Sequence, residues 1–95
     1  MNTQAKHTPG PWVSGEYSSG TEVTGRNGKT ICFLAVSRSD QSPAADTSRA
    51  NATLIAAAPA LYEALSHVWE ILGMQMDLQT SAMVEDALAQ AEGRR

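Results

Sequence analysis

The sequence predicts an α+β fold in which a three-stranded antiparallel β-meander is followed by two or three α-helices. In the first third of the chain, apolar and polar residues alternate with the period of a half-buried strand. From about residue 47 onward, apolar residues recur at steps of three and four, which is the period of an amphipathic helix. A chain of 95 residues is expected to form one domain, 1–95, with residues 1–6 frayed.

Three short runs with strand character make up the meander, which is expected over residues 7–36: they lie at 12–17, 21–25 and 29–36. The third run, KTICFLAV, is apolar on both faces, so we expect it to be the central or best-covered strand. The pair Asn27-Gly28 before it predicts a type I′ hairpin turn, because both residues tolerate a positive φ. A Ser-Ser-Gly turn is expected between the first two runs.

The segment HTPGPW, residues 7–12, opens the meander and is called the lead-in. Each proline fixes its own φ and favours an extended residue before it, whereas the glycine between them permits a tight turn. We therefore expect a stiff, bent segment that delivers Trp12 to the edge of the sheet. After the meander, residues 37–46 lack any periodicity and predict a mobile loop.

The helical part is expected over residues 47–92, and its first helix contains Pro59. Proline removes a backbone hydrogen bond inside a helix, so two arrangements stay open. Either one helix is kinked at Pro59, or two helices form, at 47–57 and 59–72. The candidate residues for the cap that starts the first helix are Asp46, Thr47 and Ser48.

A last helix is expected over residues 81–92. Thr80 or Ser81 is the expected cap at its start, because a hydroxyl oxygen can accept from the free backbone N–H groups of the first turn. Gly93 suits its carboxyl end, where a residue with positive φ is common. The segment MQMDLQT, residues 74–80, is expected to connect the two helical stretches.

An apolar stripe runs along the first helix at alternating steps of four and three: positions 54, 58, 61, 65, 68 and 72. Between residues 50 and 72 only Glu63 and Glu70 carry a formal charge, so the helix lacks a properly polar face. Three small strands cannot cover such a helix on more than one side, and we therefore expect a homo-oligomer. Its expected interface residues are Leu54, Ala58, Leu61, Leu65 and Trp69.

Residues that carry catalysis are sparse in this chain. Its two histidines, His7 and His67, and its one cysteine, Cys32, form no pattern with metal-ligand spacing. No GxSxG, Walker-type or GxGxxG sequence occurs. We expect a protein that is not an enzyme and that holds no metal and no cofactor, with His67 at the surface and Cys32 an inert thiol.

The charge balance is acidic, with a net charge of −3 and an isoelectric point near 5.2, which disfavours nucleic acid as a partner. No apolar run reaches the roughly 18 residues of a membrane span, and the polar start MNTQAK lacks the apolar region of a secretory signal. We therefore expect a cytoplasmic protein with no membrane partner.

A ligand site is a further hypothesis, and its expected residues are His7, Trp12, Arg26, Lys29 and Arg49. The basic residues would neutralise the phosphates of a nucleotide-like molecule while Trp12 stacks on its base. His7 is a candidate contact for a ligand or a partner protein. The alternative, a nucleic-acid-binding regulator, requires Arg38 and the three other basic residues to converge on one face.

Two blocks of sequence, HTPGPW at 7–12 and ANATLIAAAPALYEAL at 50–65, occur together with an NGKTI hairpin between them. In this combination the chain resembles a widespread group of small proteins encoded by bacteriophages and prophages, whose members carry HTPGPW and ANAxLIAAAPxLxxAL. The resemblance covers residues 7–92, with mild departures at Thr53 and Tyr62. It implies phage origin and a place in the bacterial cytoplasm. Together with the missing catalytic pattern and the sparsely charged helix, it leads us to expect a phage accessory protein that binds a host factor or small ligand. Such a protein could act in counter-defence by inhibiting a host protein or sequestering a signalling nucleotide.

Overall fold

The computed structural model describes residues 7–17, 20–36 and 39–94. The predicted α+β class is confirmed, because three antiparallel strands precede two helices. The frayed start expected at residues 1–6 and the Ser18-Ser19 pair of the first turn lie outside the described residues. In chain order the elements are β1 (Val13–Tyr17), β2 (Gly20–Thr24), β3 (Thr30–Leu34), α1 (Pro43–Leu72), a 3-10 turn (Gly73–Gln75) and α2 (Leu78–Ala91).

The chain divides into two compact units. The sheet unit, Thr8–Pro59, contains the three strands and the first half of α1. The helical unit contains the second half of α1, the 3-10 turn and α2, and its described residues are His7 and 60–94. The expectation that the chain behaves as a single domain stays a prediction.

The sheet has the order β1-β2-β3, so β2 is its central strand. The expectation that the third run is central is therefore wrong, because two consecutive hairpins place the second strand between the other two. Val23 of β2 pairs with Ser14 on one side and Cys32 on the other, and it is fully buried. Phe33 of β3, by contrast, is 51% exposed. Strand β3 is therefore an edge strand, and one of its two apolar faces lies in solvent.

The β2–β3 hairpin has a three-residue loop in place of the predicted type I′ turn. The Gly25 N–H donates to the Lys29 carbonyl at 2.9 Å, and the Gly28 N–H donates to the Gly25 carbonyl at 3.0 Å. Gly28 has φ +80°. Asn27 does not have a positive φ, and neither does any other described residue that is not glycine. The Asn27 side chain accepts from the Lys29 N–H at 3.1 Å. Only the glycine therefore takes the left-handed position, as in a loop followed by a β-bulge.

One face of the sheet is covered, and the face opposite it is open. Thr21 and Val23 are buried on the covered face, and Glu16 shares that face because it pairs directly with Thr21. Arg49 of α1 lies 3.6 Å from Glu16, which places the first half of α1 on this side. The open face carries three exposed large apolar residues: Val13, Tyr17 and Phe33.

Helix α1 begins at a Ser-Pro pair that the sequence analysis assigned to the loop. The Ser42 hydroxyl accepts from the Ala45 N–H at 3.2 Å, and the Ser42 carbonyl accepts from the Asp46 N–H at 3.0 Å. Ser42 is thus the N-cap, and Pro43 takes the first helical position, where a missing N–H costs nothing. The predicted start at residue 47 and the loop end at residue 46 are wrong, as are the predicted caps Asp46, Thr47 and Ser48.

Pro59 lies inside α1, and the helix runs through it without interruption. Of the two arrangements that the sequence left open, the structure has the single helix. Helix α1 ends at Leu72, the expected last residue, and the 3-10 turn Gly73–Gln75 follows it.

Helix α2 begins three residues earlier than predicted, at Leu78. Its cap is Asp77, whose carboxylate accepts from the Thr80 N–H at 2.6 Å, so the prediction of Thr80 or Ser81 as cap is wrong. Aspartate is among the preferred N-cap residues, because its carboxylate accepts from a free backbone N–H of the first turn. At the other end Gly93 has φ +77°, and the Arg94 N–H donates to the Ala89 carbonyl at 2.8 Å, as expected for a glycine-terminated helix.

Substitution of Gly20 by alanine tests the packing of the central strand. An added Cβ would overlap the Leu34 carbonyl oxygen and the Phe33 ring, so Gly20→Ala is expected to lower the free energy of unfolding by about 1–3 kcal/mol. Gly15→Ala is the matched control, because its Cβ would meet nothing closer than the Tyr17 hydroxyl at 3.8 Å. Urea denaturation measures both. Equal stabilities of the two variants would contradict this packing.

Candidate functional site

The apolar stripe of α1 lies largely in solvent. Leu54, Leu61 and Val68, which are seven residues apart, are 63%, 54% and 38% exposed. Ala58 and Leu72 are also exposed, and Leu65 is half-buried. The residues expected to form an oligomer interface at 54, 58, 61 and 65 follow the helical spacing of one side of α1. Nothing in the described part of the chain covers it.

A second seven-residue repeat occupies the covered side of α1, and its members are small: Ala45, Ala52, Pro59, Ser66 and Gly73. The first four are buried and Gly73 is half-buried. At about 100° per residue, this repeat lies roughly 160° around the helix from Leu54, Leu61 and Val68. The helix therefore turns small residues inward and large residues outward. This arrangement is what leaves the apolar stripe exposed.

Trp69, the fifth residue of the expected interface, lies on a neighbouring side of the helix. At about 100° per residue it lies roughly 60° around the axis from the centre of the apolar stripe, one helical turn from Leu65 and from Leu72. Trp69 is half-buried and lines an open cavity of about 540 Å³, called here the methionine groove. The lining residues are Trp69, Gly73, Met74, Met76, Leu78 and Ser81.

Gly73 lies directly against the Trp69 ring in the methionine groove. A Cβ on Gly73 would lie 3.2 Å from two atoms of the Trp69 ring, tighter than an ordinary contact. Met74 and Leu78, by contrast, are almost wholly exposed. Sequence analysis missed this groove because residues 74–80 were expected to be a simple connection between two helices. The available signal was the unusual density of apolar residues in a connecting segment.

The lead-in fastens the chain against α1. A Cβ on Gly10 would lie 2.8 Å from the Pro59 side chain, so glycine is required for this close approach. The Trp12 indole N–H donates to the Thr8 carbonyl at 3.0 Å, and the Gly10–Pro11 peptide bond is cis. The Gly10–Pro59 approach and the Trp12–Thr8 hydrogen bond are the contacts that position the lead-in before β1.

His7 makes its own contact with the second half of α1. Its ring lies edge-on to the Tyr62 ring, with the ring centroids 5.6 Å apart at 87°. The Tyr62 hydroxyl in turn donates to the Glu92 carboxylate of the α2 C-cap at 2.6 Å. His7, proposed as a ligand contact, is therefore part of the packing of the helical unit.

The basic residues expected to hold phosphate do not form one cluster. Arg26 and Lys29 are both exposed at the loop between β2 and β3. Arg49 lies beside Glu16, which pairs with Thr21, four residues before the start of that loop. Four residues of strand correspond to about 13 Å. Arg49 is thus placed toward the other end of the sheet, and Arg38 lies outside the described residues.

Arg49 also interacts with carboxylates. Its guanidinium lies 3.2 Å from the Asp46 carboxylate and 3.6 Å from that of Glu16, and it donates a hydrogen bond to the Asp40 carbonyl. A guanidinium so engaged is satisfied by the chain itself. These interactions of the Arg49 guanidinium stabilise the start of α1 against the sheet. They also occupy the donors that a phosphate would need.

Sequence analysis also missed the hydrogen bonds around Glu92. Glu92 accepts from the Tyr62 hydroxyl and, at 2.7 Å, from the Arg94 Nε. The Tyr62 hydroxyl, followed by the Arg94 guanidinium, lowers the pKa of the Glu92 carboxyl below its ordinary value. Tyr62 and Glu92 are 30 residues apart, and no local pattern reports such a contact.

Elsewhere the residues with chemical potential are dispersed. His67 is exposed and Cys32 is half-buried. Within the described ranges no three His, Cys, Asp or Glu side chains are grouped so as to hold a metal ion. Nor does any helix in that part of the chain combine the length and apolarity that a membrane span requires.

The structure is that of a small α+β protein whose long helix, α1, carries an exposed apolar stripe. The family model described as Salmonella phage P22 protein Y8K6 matches residues 1–95, and the chain belongs to this phage protein family. The phage origin expected from the resemblance is thereby confirmed. No curated protein and no solved structure matches the chain.

Substitution of Tyr62 by phenylalanine tests the bond to Glu92. Because the bond lowers the pKa of Glu92 in the folded protein, it stabilises the fold above the ordinary glutamate pKa of 4.5 and is lost as the pH falls through the lowered value. Tyr62→Phe is therefore expected to be less stable than wild type at pH 7, and the difference should shrink below pH 4.5.

Chemical denaturation across this pH range and an NMR titration of the Glu92 carboxyl provide the measurements. Tyr17→Phe is the control, because Tyr17 lies on the open face of the sheet and is 50% exposed. An identical Glu92 pKa in wild type and Tyr62→Phe would show that the bond does not form.

Proposed function

We propose that this protein is a non-catalytic phage accessory protein that self-assembles through the apolar stripe of α1 and binds a host protein in the bacterial cytoplasm. Counter-defence by inhibition of that host protein is the role we assign to it. The observation that carries the proposal is the exposure of Leu54, Leu61 and Val68 on a helix whose opposite side is buried. A contiguous apolar surface of this kind is typical of an interaction site.

The spacing of the apolar stripe supports a second copy of the chain as the partner in assembly. Steps of three and four are the seam of two helices that pack with knobs into holes. The positions beside this seam also lack charge: Ala50, Ile55, Ala57, Tyr62, Ala64, Trp69 and Ile71. The alanines among them permit two helix backbones to approach closely, and an identical helix carries the same spacing.

A protein partner is supported better than a nucleotide. Sequestration of a nucleotide signal would need several cations around the phosphates, with Trp12 free to stack on a base. Arg49 instead lies against Glu16 and Asp46, and the Trp12 indole is bonded to the lead-in. Within the described residues, by contrast, no part of the chain covers the exposed apolar residues Leu54, Leu61 and Val68 of α1.

Substitution of Leu61 by glutamate tests the proposed assembly. Leu61 is 54% exposed in one copy, so Leu61→Glu is expected to leave the isolated fold intact. A carboxylate buried in the seam would be costly, and the association constant is expected to fall at least a hundredfold. Light scattering coupled to gel filtration gives the mass, and circular dichroism reports the fold.

Ala60→Glu is the matched control, because Ala60 is exposed and lies about 100° around the helix from the apolar stripe. It is expected to keep the native assembly. A wild-type protein with the mass of one chain, or equal masses for the two variants, would rule out assembly through this surface.

A further inference from the structure

The methionine groove is an apolar surface that shares Trp69, and no other residue, with the stripe of the proposed assembly and the positions beside it. Five of its six lining residues are glycine or apolar, and none of the six belongs to the stripe. Its volume of about 540 Å³ lies within the range of pockets that hold a ligand. Methionine side chains are unbranched and polarizable, so a surface built from them adapts to differently shaped apolar partners.

The charged residues that adjoin the groove in sequence are all acidic. Residues 50–93 contain no lysine and no arginine, but they contain six carboxylates. Three of these adjoin the groove in sequence: Glu70 follows Trp69, Asp77 separates Met76 from Leu78, and Glu85 lies one helical turn after Ser81. The hydrogen bonds from Thr80 hold the pKa of Asp77 below its ordinary value, so this carboxylate carries its charge at neutral pH.

From this combination we infer that the methionine groove binds a cationic amphipathic helix of the host protein, with apolar residues in the groove and lysines or arginines against its acidic rim. An apolar floor with charged flanks is how grooves recognise helices whose anchors recur at steps of three and four. The inference rests on the proposed binding of a host protein and names the chemistry of that partner's contact segment.

Charge also decides against other occupants of the groove. A second copy of α1 or α2 would bring the same carboxylates to the same rim, and like charges facing each other cost affinity. A nucleic acid or an anionic membrane would be repelled for the same reason. A cationic helix is the occupant whose charge complements the rim and whose apolar side fills the groove.

Isothermal titration of the full-length protein with three 18-residue synthetic peptides tests the inference. The first places leucines at helical steps of three and four with lysines elsewhere. The second replaces the lysines by glutamates, and the third scrambles the first so that it has no apolar side. We expect the first peptide to bind once per chain, with an affinity at least tenfold higher than either other peptide and weakened by salt. The emission of Trp69 should shift to shorter wavelength on binding, as measured in the Trp12→Phe protein.

The double variant Met74→Ser/Leu78→Ser tests the location of binding. Both side chains are almost wholly exposed, so their removal is expected to leave the fold unchanged and to weaken binding of the lysine peptide at least tenfold. Met83→Ser is the matched control, because Met83 is an exposed methionine of α2 that does not line the groove. It should bind as wild type does.

Three results would overturn the inference: no binding of the lysine peptide, equal binding of the lysine and glutamate peptides, or unchanged affinity in the double variant. Light scattering on the same samples separates this failure from failure of assembly. If the protein assembles but does not bind the lysine peptide, only the proposal for the groove is wrong. A Leu61→Glu protein that is monomeric but still binds the peptide confirms that the two surfaces are independent.

Discussion

The two-sided character of α1 is the constraint on which the rest of the structure depends. A helix of 30 residues in a chain of 95 has more surface than three short strands and one further helix can cover. The small residues of one seven-residue repeat, which begins at Ala45, lie on the covered side of the helix. Leu54, Leu61 and Val68, which form the other seven-residue repeat, remain in solvent. Burial of their apolar surface against another chain would be favourable. Self-assembly is therefore proposed as a consequence of how this helix is covered.

The lead-in explains why two distant sequence blocks occur together. Gly10 of HTPGPW lies against Pro59 of LIAAAP, and the absence of a side chain on the one accommodates the ring of the other. His7 then contacts Tyr62 within the second block. Pro59 costs the helix a backbone hydrogen bond, but its ring provides the buried contact for the lead-in. Residues near the start of the chain, Gly10 and His7, thus pack against residues of α1.

The sequence predicted the elements of this fold better than it predicted their boundaries. Alternation and helical periodicity identified three strands, two helical stretches and the glycine that ends α2, because each leaves a local pattern. Helix α1 starts earlier than predicted because Ser42-Pro43 has the composition of a loop and is followed only by the small apolar residues Ala44 and Ala45 before Asp46. Apolar content alone misplaced β3 at the centre of the sheet, since a strand position depends on the order of the hairpins. The groove and the Tyr62–Glu92 bond depend on contacts between separate elements, which no local pattern reports.

The melting temperature of the wild-type protein over a hundredfold range of protein concentration tests the central claim most directly. If folded chains associate through the outer side of α1, mass action stabilises the fold, and the melting temperature must rise with concentration. A melting temperature that is the same at every concentration, in a protein with the mass of one chain, would mean that this apolar side stays in water. The account of α1 as a helix shared between copies would then be wrong.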